Sequence, residues 1–189
     1  MRDKIPAVIF AGGKSSRMGE DKALLPFGTF PTLVEYQHKR LSKIFKKIYL
    51  STKSAKFNFE VPLIQDLYSE SSPLVALVSV FETLDTDEVF ILSVDAPFIE
   101  ENIIKSILKE PSGYDAVIAK NKGELQPLCG RYSRSILPLA KAELERGKHK
   151  LGVLLQQANT SYIAFEEEKA FMNLNHLHEY KEALKIISS

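Results

Sequence analysis

The chain has 189 residues, 44% hydrophobic and 26% charged, and its composition suits one packed α/β-sized domain over 1–189. Its formal net charge of +1 argues against nucleic acid or an anionic membrane as the main partner. The single cysteine, Cys129, excludes an internal disulfide and a multi-cysteine metal centre, and it fits a reducing compartment.

At the N-terminus, Arg2, Asp3 and Lys4 precede a short apolar run, which is not the long apolar core of a signal peptide. No stretch reaches the roughly 18 apolar residues of a membrane span. A soluble, cytoplasmic protein is expected. Ile5 to Phe10 is an apolar run ending at Ala11-Gly12-Gly13, the pattern of a buried strand. Thr32 to Phe45 predicts a helix. Thr32 is its N-cap, Glu35 completes a capping box, and Leu33, Val34, Leu41, Ile44 and Phe45 share one face. Ile48 to Leu50 and Val61 to Ile64 predict the second and third strands. Ser72 as cap and Pro73 at the first helical position open a helix that runs to about Leu84.

Glu88 to Val94 is the clearest buried strand. Glu100 to Lys109 predicts a helix, with Ile103, Ile104, Ile107 and Leu108 at helical spacing. Asp115 to Ala119 predicts a strand, Gln126 to Tyr132 an extended segment, and Ser135 to Arg146 a helix. Leu151 to Gln157 predicts a short helix and Tyr162 to Phe165 a strand. Asn175 is expected to cap a last helix whose face is Leu177, Tyr180, Leu184 and Ile187. Strands alternating with helices imply an α/β fold with a mostly parallel sheet, helices covering both faces in three layers. In such sheets ligands bind beyond the carboxyl ends of the strands, so the loops after Phe10, Ile64 and Val94 are the functional candidates.

The first of these loops runs from Phe10 to Lys22 and holds Gly12, Gly13 and Gly19 with Lys14, Arg17 and Lys22. Glycines let backbone N–H groups approach a ligand, arginine offers a planar fork to phosphate oxygens, and lysine offers a point charge. Together they suit a triphosphate. The spacing matches neither the Walker A loop nor the dinucleotide fingerprint. Asp95-Ala96-Pro97 follows the strand that ends at Val94. One strand-end carboxylate there can anchor a magnesium nucleotide, or can simply accept turn N–H groups. Asp66 after the third strand is a weaker candidate of the same kind. Asn173 and Asn175, two apart, can present both amides on one side of an extended segment.

Gln126-Pro127-Leu128-Cys129-Gly130 is a candidate lining for an acceptor cleft, with Cys129 as a buried apolar residue and not a nucleophile. The four histidines form no metal-ligand pattern. His176 and His178, two apart on the predicted last helix, should diverge. The basic stretch from Arg146 to Lys150 can receive an anion or form a solvated turn.

The stretch from Ala11 to Leu25 resembles the A-G-G-x-x-x-R-M-G-x-D-K-x-L-L signature of the molybdenum cofactor guanylyltransferases (the MobA family). The resemblance continues in order through Asp66, Pro73-Leu74, Asp95-Ala96-Pro97, Gln126-Pro127-Leu128, Glu145-Arg146-Gly147 and Phe171 to Asn175. It implies a Rossmann-like nucleotidyltransferase fold, with GTP, Mg2+ and molybdopterin as ligands. It implies that the backbone of Phe10, Ala11 and Gly12, the side chain of Lys22, and Asp66 contact the guanine nucleotide. Asp95 would hold the magnesium, and Asn173 and Asn175 would lie near the acceptor. Transient contact with cofactor-synthesis enzymes or target molybdoenzymes is implied as well.

The chain departs from the family pattern at Phe10, where leucine is common, and at Ser72, where many members carry glycine. By alignment Ser51 stands where asparagine can occur in the nucleotide site. Serine has a shorter reach and fewer donors, so base recognition would differ in detail.

The expected reaction is in-line attack of the terminal phosphate of molybdopterin on the α-phosphorus of GTP, with pyrophosphate leaving. Arg17, Lys22 and Asp95 would be its catalytic residues. Cytidylyl transfer, another small-molecule nucleotidyl transfer, and a catalytically silent nucleotide-binding module are the alternatives.

Overall fold

The strand β1 (Ala7–Phe10) is buried on both faces, and that decides the architecture. Ala7 and Ile9 belong to one apolar core, Val8 and Phe10 to another. A strand apolar on both sides needs a helical layer on each. The structure, a computed structural model, describes residues 5–12 and 21–188. Among these residues one core holds Leu33, Val34 and Leu41 of α1 (Leu33–Leu41), Ile103, Ile104 and Ile107 of α3 (Glu101–Lys109), and Ala183 of α6 (Leu177–Ser188). The other holds Leu74, Leu77, Val78 and Phe81 of α2 (Pro73–Thr83), Ala140 of α4 (Leu137–Glu145), and Leu151, Leu154 and Leu155 of α5 (Leu151–Gln157). Each fully buried Leu, Ile, Val or Phe contributes about 1.5–3 kcal/mol, so the two cores carry most of the stability. No helix among the described residues is long and apolar enough to cross a membrane.

The remaining strands are β2 (Ile48–Thr52), β3 (Leu63–Gln65), β4 (Glu88–Ser93), β5 (Ala116–Asn121), β6 (Glu124–Ser133) and β7 (Thr160–Phe165). They lie in the order β3-β2-β1-β4-β6-β5-β7. The pairs β1 with β2, β1 with β4, β2 with β3, and β5 with β7 are parallel. The sheet is thus mostly parallel with helices on both faces, as the alternation of elements predicts.

The exception is β6, antiparallel to both β4 and β5. It returns from β5 through a two-residue turn in which Lys122 has φ 48° and Gly123 has φ 85°. Positive φ at both central residues is the turn that matches strand twist, and glycine takes it without strain. Further along β6, a Cβ on Gly130 would lie 2.4 Å from Ile118 Cδ1 and 2.7 Å from the Val117 carbonyl oxygen. Only glycine lets β6 press so close to β5, beside the register shift between Ile118 and Ala119.

The helix starts follow the caps in the sequence. Thr32 Oγ1 accepts from the Glu35 N–H at 3.2 Å, and Ser72 Oγ from the Val75 N–H at 3.1 Å. α1 stops at Leu41, short of Phe45. Turn bonds from the Ile44 and Phe45 N–H groups to the Leu41 carbonyl end it, while Phe45 stays buried and stacks on Phe90 with ring centroids 5.3 Å apart.

Two expectations at the last helix are corrected. Its start is capped by Glu179, whose Oε2 accepts from the N–H groups of Asn175 at 2.6 Å and His176 at 2.7 Å, so the Asn175 side chain is left for other work. The rings of His176 and His178 do not diverge. They stack at 5.5 Å with planes 10° apart. His176 precedes α6, so helical spacing does not separate it from His178.

Candidate active site

The parallel register brings Phe10 beside Ser51 on one side and Ser93 on the other, at the carboxyl ends of β1, β2 and β4. β3 adds Gln65 beside Thr52, and Asp66 comes next in the chain. A cavity of about 510 Å³ opens over these ends, lined among others by Phe10, Gly12, Ser51, Asp66 and Ser93. A smaller cavity of about 200 Å³ adjoins it and shares Ser93 and Leu128. Asp95, Gln126, Phe171, Asn173 and Asn175 line this second space.

Lys22, Asp95 and Asn175 meet beside this smaller space. The Lys22 ammonium lies 3.4 Å from Asp95 Oδ2 and donates to Asn175 Oδ1 at 3.1 Å. Ser93 Oγ donates to Asp95 Oδ1 at 2.5 Å, and the Leu174 N–H donates to the Asp95 carbonyl at 2.8 Å. Three segments far apart in sequence are wired into one polar unit. Lys22 opens a short 3-10 turn (Lys22–Leu24) capped by Asp21, whose Oδ1 accepts from the Ala23 N–H at 3.1 Å. Lys56, from the loop after β2, pairs with the same carboxylate.

The turn that carries Asp95 is held from beneath by α1. Gln37 is fully buried, and its Nε2 donates to the Ala96 carbonyl at 2.9 Å, with longer contacts to the Ser93 and Val94 carbonyls at 3.3 and 3.4 Å. Its Oε1 accepts from Arg40 Nη1 at 2.9 Å, and Arg40 also donates to the Pro97 and Ile99 carbonyls. Buried backbone carbonyls need such donors, and this turn takes them from two side chains. Sequence reasoning missed both residues. The signal was a glutamine on the apolar stripe of α1, between Val34 and Leu41.

Asp66 is different in kind. It is half-buried, and burial pushes its carboxyl above the usual range while the Lys53 charge pulls it back. Among the described residues it forms no hydrogen bond. Lys53, also missed in the sequence, lines the same cavity.

Of the other expected site residues, Ala11 is buried outside both cavity linings, and its N–H already donates to the Ser51 carbonyl at 2.9 Å. Gly13 and Arg17 lie outside the described residues. Cys129 lines the smaller cavity, but burial pushes its thiol up to about 12, so it serves as wall. The basic stretch is largely held by ion pairs, and His149 Nδ1 lies 3.2 Å from Ser72 Oγ on the wall of the larger cavity. Arg146 and Lys148 reach the buried Glu143 carboxylate at 2.8 and 3.3 Å, and His149 lies 2.8 Å from Glu70.

Two spaces that share a wall, with a carboxylate lining the smaller one and a cation paired to it, suit transfer of a charged group between two bound ligands. On this sheet that is the layout of a nucleotidyltransferase. Residues 7–161 match the family described as MobA-like NTP transferase domain, and the chain belongs to that family.

The chain is 38% identical over 183 residues to a molybdenum cofactor guanylyltransferase of Campylobacter jejuni, with 95% of each chain covered. It is 33% identical over 191 residues to one of Helicobacter pylori, covering 98% of this chain and 94% of the relative. Among solved structures, molybdopterin-guanine dinucleotide biosynthesis protein A from Archaeoglobus fulgidus has a TM-score of 0.84 at 20% identity, with 97% and 99% coverage. The 2-C-methyl-D-erythritol 4-phosphate cytidylyltransferase of Thermus thermophilus has a TM-score of 0.71 at 14% identity, with 98% and 100% coverage. Proteins whose names point to different bases share this fold. The base is therefore decided by cavity walls, not by architecture.

Proposed function

We propose that the chain transfers GMP from GTP to the terminal phosphate of molybdopterin, releasing pyrophosphate and forming the molybdopterin guanine dinucleotide cofactor. The observation that carries this reading is the meeting of Lys22, Asp95 and Asn175 beside two adjoining cavities. The named relatives supply the substrates.

The nucleotide would lie across the strand ends in the larger cavity. An Asp66 carboxylate repels phosphates, so the base belongs at the β2–β3 side and the phosphates at the β1–β4 side, near Lys22. Ser51 and the backbone of Phe10 and Gly12 would line its path. Molybdopterin would take the smaller cavity against Asn173 and Asn175. The two substrates then approach each other at the shared wall, and the attacking and leaving oxygens can be brought into line.

Asp95 fits a magnesium site of the kind a nucleotide completes. It offers one carboxylate at a strand end, and the described residues gather no group of three or more His, Cys, Asp or Glu that could hold an ion unaided. When bound, magnesium supplies positive charge to the phosphates. Lys22, with Arg17 from the first loop, would stabilise the charge that grows on the departing pyrophosphate. The attacking phosphate is already an anion, so no general base is needed, and the inert Cys129 thiol agrees with that.

The test is to incubate the protein with magnesium, molybdopterin and either GTP or CTP, then assay pyrophosphate and the nucleotide-linked pterin. Product with GTP is expected. Product with CTP alone would overturn the base, and nucleotide binding without product would leave a silent binding module.

A further inference from the structure

Lys53 is a cavity cation that the reaction above does not use. It follows β2 at its carboxyl end, it is exposed, and it forms no hydrogen bond or ion pair among the described residues. Its charge is nonetheless felt by Asp66. A cation and an anion thus face one space without closing on each other. Such a pair is poised for a ligand that presents an acceptor beside a donor.

The strand order says which part of the nucleotide reaches them. Asp95 follows β4, and β1, β2 and β3 succeed one another away from it. At about 4.8 Å per strand step, the ends of β2 and β3 stand roughly 10–14 Å from the end of β4. With the phosphates at Lys22, that is the reach of ribose and base.

We propose that Lys53 is a specificity-determining residue of the base subsite, its ammonium donating to O6 of guanine beside Asp66, whose carboxylate accepts from N1–H and the 2-amino group. The inference rests on the guanylyl reading given above. Guanine carries an acceptor at O6, where adenine carries an amino donor. An ammonium has donors only, so it accepts the first and opposes the second. Ser51, with its short reach, leaves this task to a longer side chain.

The test is calorimetric titration of magnesium nucleotides onto the full chain. The ligands are GTP, CTP and 2-aminopurine riboside triphosphate, which keeps the 2-amino group and lacks both O6 and the N1–H. In Lys53→Met, GTP binding is expected to weaken roughly 10- to 100-fold, while the 2-aminopurine ligand stays within about twofold of its wild-type affinity. Lys53→Arg should restore most of the loss. Lys53 is exposed, so both variants should melt with wild-type protein. Equal weakening of all three nucleotides would make Lys53 a phosphate contact and overturn the proposal, as would unchanged GTP binding. Tighter binding of CTP than GTP by wild-type protein is a separate failure, because it overturns the guanylyl reading itself.

Discussion

The two cavities treat polar groups in opposite ways. In the larger one, Asp66 and Lys53 stand without hydrogen bonds among the described residues. Beside the smaller one, Lys22, Ser93, Asp95 and Asn175 are already bonded to one another, and Gln37 and Arg40 brace the turn that carries Asp95. Recognition of a base needs groups kept open for a partner, since an unsatisfied polar atom discriminates between ligands that do and do not satisfy it. Charge stabilisation during transfer needs groups fixed before the ligand arrives. On the proposed reading, the difference separates choosing a nucleotide from reacting it.

The sharpest break falls on the fixed side. Asp95→Ala and Lys22→Ala should each lower turnover by roughly 10²–10³ while leaving the melting curve close to wild type. Initial rates of pyrophosphate release read this directly, and near-normal rates in both would remove these residues from the chemistry.

Gln37→Leu keeps the volume and deletes the donors to the Asp95 turn. It should destabilise the fold by about 1–3 kcal/mol and cut turnover by about tenfold or more, with GTP affinity unchanged. Thermal melts run beside steady-state rates check it. A lower melting point with full turnover would make the brace structural only.

Asp66→Asn sharpens the comparison from the open side. GTP affinity should fall by about tenfold, with turnover at saturation held. Burial raises the Asp66 carboxyl in the folded state, so the folded protein favours its protonated form. Its ionisation therefore removes stability as pH rises through the raised value, and removes none below the unfolded value. The variant should melt higher than wild type at neutral pH and gain little in acid. Scanning fluorimetry at both pH values decides, and a lower melting point at neutral pH would contradict the burial argument.

The smallest effect belongs to Asn175→Ala. It frees Lys22 of one contact and should raise the KM for molybdopterin by less than about tenfold, more than it raises that for GTP.

The sheet and the site were unequally legible in the sequence. Strands such as Glu88–Ser93 stood out because a strand buried on both faces is apolar throughout. The first loop, Asp66 and Asp95 stood out because each breaks an apolar run with charge at a strand end. The direction of β6 was hidden, because it depends on Lys122 and Gly123 both taking positive φ, and lysine gives no hint of that. Lys53 was hidden for another reason. A lysine after a strand reads as a surface charge until Asp66 is seen across the cavity. The stacked His176 and His178 depended on a helix boundary one residue from where the asparagine cap suggested.

The β5–β6 hairpin has a consequence for how such a protein changes. Its turn at Lys122 and Gly123 projects at the same end of the sheet as Asp95, and the segment from Gln126 to Cys129 that walls the smaller cavity descends from it. Hairpin tips accept inserted residues far better than packed strands do. Lengthening this tip would recontour the wall of the smaller cavity and leave β1, β2 and β3 untouched. On the proposed reading, a few insertions there would change the acceptor this scaffold takes and leave its nucleotide unchanged.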